Sequence, residues 1–103
     1  MSALLVLITC PPDAAGSLAS ALVEARLAAC VNVLPGLRSV YRWRDAVEHA
    51  DECLLIAKTT AAGYAALEAE VLARHPCELP EILAVDIAAG LPAYLQWLEG
   101  SIQ

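Results

Sequence analysis

A chain of 103 residues is sized for one domain that buries its own core, yet 59% of it is apolar, 17% is charged and its mean hydropathy is +0.60. The longest unbroken apolar runs, Ala3 to Ile8 and Cys53 to Ala57, fall far short of the ~20 residues of a membrane-spanning helix. A net charge of −6, a pI near 4.6 and five scattered arginines with one lysine exclude the basic run that nucleic acid requires.

The first predicted element is a buried strand over Ala3 to Ile8, short, apolar and closed by Pro11-Pro12. This run has no basic leader and meets no small-x-small site, so it is not read as a signal peptide, and the protein is expected in the cytoplasm. Asp13 or Ser17 is placed to cap an alanine-rich amphipathic helix in which Leu18, Leu22 and Ala25 recur at helical spacing. A short strand from Cys30 to Val33 is interrupted by Pro35-Gly36 and resumes over Leu37 to Arg44. There Ser39, Tyr41 and Trp43 share one side, and Arg38, Val40, Arg42 and Arg44 share the other.

The chain then turns near Asp45-Ala46 into a third strand that includes Cys53 to Thr59, making a long hairpin whose eight-residue arm would reach ~26 Å. A second helix carries Tyr64, Leu67, Val71 and Leu72 after a Thr59-Thr60 cap, and His75-Pro76 ends it. A fourth strand is expected over Ile82 to Ala88. A last helix starts at Pro92, with Leu91, Tyr94, Leu95 and Leu98 as its apolar stripe beside Trp97.

The order β-α-β-β-α-β plus a terminal helix predicts a single-domain α+β fold, a ferredoxin-like split βαβ sandwich with both internal helices on one sheet face. Strands one, three and four are apolar on both sides, so the second face is expected to be covered by other subunits. No P-loop, nucleophile elbow, H-E-x-x-H or dinucleotide turn is encoded, and two histidines supply little acid-base machinery, so no catalytic residue is assigned and no enzyme is expected.

Several ordered stretches in one frame carry a resemblance to a known family: Arg26-Leu27-Ala28-Ala29-Cys30-Val31-Asn32, Pro35-Gly36, Ser39-Val40-Tyr41-Arg42-Trp43, Leu54-Leu55-Ile56-Ala57-Lys58-Thr59, and His75-Pro76 with Pro80-Glu81-Ile82. Together they resemble the CutA family across nearly the whole chain. The resemblance implies a ferredoxin-like fold, a tight homotrimer, tolerance of divalent ions, copper binding, and likeness to trimeric PII signalling proteins. It also matches Cys30 to a family cysteine implicated in copper binding. Two positions depart from the family pattern: Asp45 stands where a glycine is usual at the hairpin tip, and Cys77 where an aromatic usually follows His-Pro.

Candidate site residues divide into two sets. His75 and Cys77 flank Pro76 and, in an extended segment, fall on one side within reach of a soft ion; with Cys30 they are the candidate metal ligands, against a reading of His75 as a helix terminus and the cysteines as small packing residues. Copper or another divalent cation is a possible ligand, and no cofactor is obligatory. Glu78 and Glu81 are weaker hard-cation candidates. Tyr41, Trp43, Lys58 and Glu81 form the second set, which would line an intersubunit cleft for a small anionic ligand. Structurally, the two rings would instead anchor an interface and Lys58 would pair with Glu81.

Overall fold

The structure, a computed structural model, describes residues 2–103. Four antiparallel strands form one sheet: β1 (Ala3–Cys10), β2 (Cys30–Trp43), β3 (Ala46–Thr60) and β4 (Ile82–Asp86), in the spatial order β2-β3-β1-β4. Three helices accompany them: α1 (Pro12–Glu24), α2 (Tyr64–Arg74) and α3 (Pro92–Ser101). This is the expected βαββαβ arrangement with a terminal helix.

Strand periodicity explains the layers. In β1, Val6, Ile8 and Cys10 point to one side, and their register partners in β3 are Ala57, Leu55 and Cys53. All six are buried in one cluster with Leu18 and Leu22 of α1 and Leu67 and Val71 of α2. The i, i+4 spacing of each leucine or valine pair puts one stripe of its helix on the sheet. The opposite face carries Leu5, Leu7 and Thr9 of β1 beside Leu54, Ile56 and Lys58 of β3. Of the three helices α3 packs on it, sealing Leu98 completely, while Leu34, Leu83 and Val85 stay half-exposed.

Several local expectations are corrected. Pro35-Gly36 does not end a strand. β2 runs unbroken through it, and the pair is absorbed as a bulge between Leu34 and Leu37, with Gly36 at φ +80°. The arm beyond that bulge pairs Leu37 through Trp43 with Glu52 back to Ala46, seven residues or ~23 Å. β1 ends opposite Cys53, so this arm projects past the body of the sheet. Its tip is a two-residue turn with Arg44 at φ 50° and Asp45 at φ 65°, the paired left-handed geometry of a type I′ hairpin, which an aspartate tolerates better than most side chains.

β4 stops at Asp86, short of Ala88. No side chain caps α1, which opens directly at Pro12 after Pro11. Thr60 holds the turn before α2 instead of its N-cap, by accepting the Gly63 N–H at 3.0 Å, and Thr59 Oγ1 donates to the Leu27 carbonyl at 2.8 Å. Among the described residues no helix is long and apolar enough to cross a membrane.

Candidate functional site

Where β1 ends and the arm begins, the His75–Glu81 loop crosses the rim of the sheet and encloses a cleft of about 600 Å³. Tyr41 and Trp43 enter from the arm, as alternation along a strand requires of residues two apart. His75, Cys77, Glu78 and Glu81 enter from the loop, Thr9 from the end of β1 and Glu52 from the middle of β3. Two contacts fasten the loop. Arg44 at the arm's tip reaches Glu78 with both carboxylate oxygens in range, 3.0 and 3.2 Å, and Thr9 Oγ1 donates to Glu81 Oε1 at 3.3 Å. The Arg44–Glu78 pair is about 70% exposed on each side and contributes little stability on its own. Arg44 also lies over the Trp43 ring at 5.2 Å.

His75 is held at both ring nitrogens. The Cys77 backbone N–H donates to Nδ1 at 3.1 Å, so the proton sits on Nε2, which donates to the Thr9 carbonyl at 2.7 Å. The imidazole thus ties the end of α2 to the end of β1 and fixes the backbone of Cys77. The Cys77 side chain is exposed.

Cys30 lies elsewhere. It opens β2 opposite Lys58, whose own β1 partner is Leu5. Thr9 is four residues further along β1, so Cys30 and the His75 contact are separated by ~13 Å of sheet. Within a single chain Cys30 therefore stands apart from His75 and Cys77, so one ion would meet all three only across a subunit boundary. Among the described residues no three histidine, cysteine or acidic side chains converge with metal-holding geometry.

The expected Lys58–Glu81 pair is also corrected. Lys58 Nζ hydrogen-bonds the Asn32 side-chain oxygen and lies 3.7 Å from Cys30 Sγ, whereas Glu81 is on Thr9 at the other end of the sheet. Tyr94 of α3 completes the Cys30 cluster. Burial pushes its hydroxyl's pKa up, and the neighbouring Cys30 sulfur adds to the effect.

Of the second set, Tyr41, Trp43 and Glu81 do share the cleft and Lys58 does not. The charge of the lining follows: Glu52, Glu78 and Glu81 against Arg42 alone, with Arg44 bridging in from the tip. Thr9, Arg42 and Glu52 were not singled out from sequence, because only strand register reveals that they face the loop.

The chain matches the family described as CutA1 divalent ion tolerance protein over residues 4–101. It is 51% identical over 94 residues to the divalent-cation tolerance protein CutA of Thermus thermophilus, an alignment covering 90% of this chain and 91% of that one. The chain belongs to the CutA1 divalent ion tolerance family.

Solved structures of CutA proteins agree with the fold. The divalent cation tolerance protein (Cut A1) from Thermus thermophilus superimposes with a TM-score of 0.96 at 47% identity, covering 98% of this chain and 99% of that one. The PII-like protein CutA from Nostoc sp. PCC 7120, in its apo form, superimposes at 0.92 with 30% identity, covering 100% and 98%. Against this CutA framework, the two departures are structural facts with different weight: Asp45 is absorbed by the tip turn, whereas Cys77 puts an exposed thiol into the cleft.

Proposed function

We propose that the protein serves divalent-cation tolerance as a homotrimer that binds copper or a similar borderline-soft ion at the cleft, with Cys77 as the thiol donor and the remaining ligands supplied on assembly, since among the described residues no three such side chains of one chain converge there. The carrying observation is the lining: an exposed thiol and an excess of carboxylates in one concave site of a family tied to divalent ions. A thiolate with carboxylates suits copper or zinc better than calcium or magnesium. Cys30, on the other side of the sheet, would hold a separate ion or meet one only across a subunit boundary. His75 acts by holding the loop, since any metal on it must first displace a hydrogen bond.

Trimer formation is supported by the half-exposed Leu34, Leu83 and Val85 on the face that α3 covers only in part, together with Leu91 just before α3 and Tyr94 and Trp97 on it. Four free thiols fit a reducing compartment and with it the cytoplasm.

Native mass spectrometry of the reduced protein titrated with copper(I) and with zinc(II) tests this proposal. The expected result is a trimer taking up at least one ion per subunit, with Cys77→Ser weakening uptake tenfold or more. A Cys30→Ser/Cys77→Ser double variant that binds as tightly as the parent would refute it.

The second reading, a PII-like cleft for a small anionic ligand, draws on Tyr41 and Trp43 as stacking walls and on the Nostoc structure. It is disfavoured by the position of Lys58 outside the cleft and by the acidic lining. Thermal stabilisation by nucleotides with no response to metal would reverse that ranking.

A further inference from the structure

Cys10 and Cys53 take no part in the cleft lining or in the proposed ion site, yet they stand directly opposite each other where β1 ends. Directly paired residues of an antiparallel ladder have Cα atoms ~4.5 or ~5.5 Å apart, and both spacings lie inside the range that a disulfide spans. The two side chains also share a face. Both belong to the buried cluster under α1 and α2, Cys10 with no exposed surface and Cys53 with 4%. Their mutual proximity registers electrostatically: burial, then Cys53, then Glu52, Cys77 and Asp13 push the Cys10 thiol up to about 11. Both cysteines are free thiols.

We propose that Cys10 and Cys53 are a redox-sensitive pair that closes to a cross-strand disulfide when the protein meets a hydroperoxide. One thiolate attacks the peroxide oxygen: an S–O bond forms, the O–O bond breaks, and the departing oxygen leaves protonated as an alcohol, or as water from hydrogen peroxide. The second thiol then attacks that sulfur; the S–S bond forms, the S–O bond breaks and water leaves. Two thiols are oxidised and one hydroperoxide is reduced. Access comes through fraying at the end of β1, since Cys10 is its last residue.

The bond would form one residue from Thr9, whose carbonyl holds His75, and one residue from Glu52 in the cleft wall. Oxidation would thus be felt at the rim of the cleft without consuming any residue proposed to bind the ion.

Tryptic cleavage distinguishes the possible pairings, because each cysteine falls on its own peptide: Cys10 on 1–26, Cys30 on 27–38, Cys53 on 45–58 and Cys77 on 75–103. The reduced full chain is treated with hydrogen peroxide, blocked with an alkylating agent, digested without reductant and analysed by mass spectrometry. A linked 1–26/45–58 pair is expected, retained in Cys77→Ser and absent in Cys53→Ala.

Peptides 1–26 and 45–58 recovered only as alkylated monomers after peroxide treatment would overturn the proposal, as would a link that includes 75–103. Should Cys53→Ala fail to fold, the surface substitution Cys77→Ser still decides between the pairings.

Discussion

Replacing His75 by alanine separates a structural histidine from a metal ligand. The substitution deletes the Nε2–H donated to the Thr9 carbonyl and the Nδ1 acceptor used by the Cys77 N–H. Each net hydrogen bond contributes about 1 kcal/mol, and the Thr9 carbonyl loses a donor at a residue only 8% exposed. The expected loss is about 2–3 kcal/mol, a drop in Tm of roughly 10 °C or more for a domain of this size. Thermal melts at one fixed protein concentration read this directly, since assembly into the proposed trimer would make Tm depend on concentration. His49→Ala is the control, because the only other histidine is exposed on the arm; its change should stay within about 0.5 kcal/mol. Copper affinity of His75→Ala, measured in parallel, should move less than threefold. A tenfold loss of affinity with an unchanged Tm would refute the assignment and restore His75 as a ligand.

Three further outcomes follow from the geometry. The Cys10 thiol titrates near 11 in the folded protein against 9.0 for the free group, so the unfolded chain loses that proton first. Stability should fall as pH rises from about 9 to 11, in a denaturation series, and Cys10→Ala should flatten that slope. Asp45→Gly should raise stability by up to about 1 kcal/mol in urea melts, because glycine adopts the φ of 65° without the side-chain clash. Leu83→Glu with Val85→Glu places two charges per subunit on the half-covered sheet face. The proposed trimer should dissociate in native mass spectra while circular dichroism keeps its folded signature, and an intact trimer would show that this face is not the interface.

Strand and helix order was legible because periodicity is local: Leu18 with Leu22 and Leu67 with Val71 advertise their helices within a single turn of chain. What sequence concealed was register. Pro35-Gly36 reads as a break, since proline cannot donate to a ladder, but one extra residue on β2 lets the strand resume and keep pairing with β3. The Lys58–Glu81 pairing was plausible from composition alone and fails on position, because Lys58 sits opposite Leu5 while Glu81 reaches Thr9, four residues along β1. Cys10 and Cys53, 43 positions apart in sequence, become direct neighbours by the same register. Half of the candidate site was visible for a related reason: Tyr41 with Trp43, and His75 with Cys77, are close in sequence, whereas Thr9 and Glu52 join them only through the fold.

The separation of the two exposed or half-exposed thiols constrains any account of ion binding. Metal–sulfur bonds are ~2.3 Å long, so the ~13 Å between the Cys30 row and the Thr9 row rules out one ion shared by Cys30 and Cys77 of the same subunit as they stand. Two arrangements remain, and they predict different stoichiometries. Independent ions at Cys30 and Cys77 would give up to two per subunit, with single cysteine variants each losing one. A shared ion across a subunit boundary would give one per subunit, lost with either variant and also lost when the trimer is broken by Leu83→Glu with Val85→Glu. The interface variant therefore acts as a second metal-binding test, and a monomer that still takes up copper at Cys77 with unchanged affinity would place the whole site within one chain.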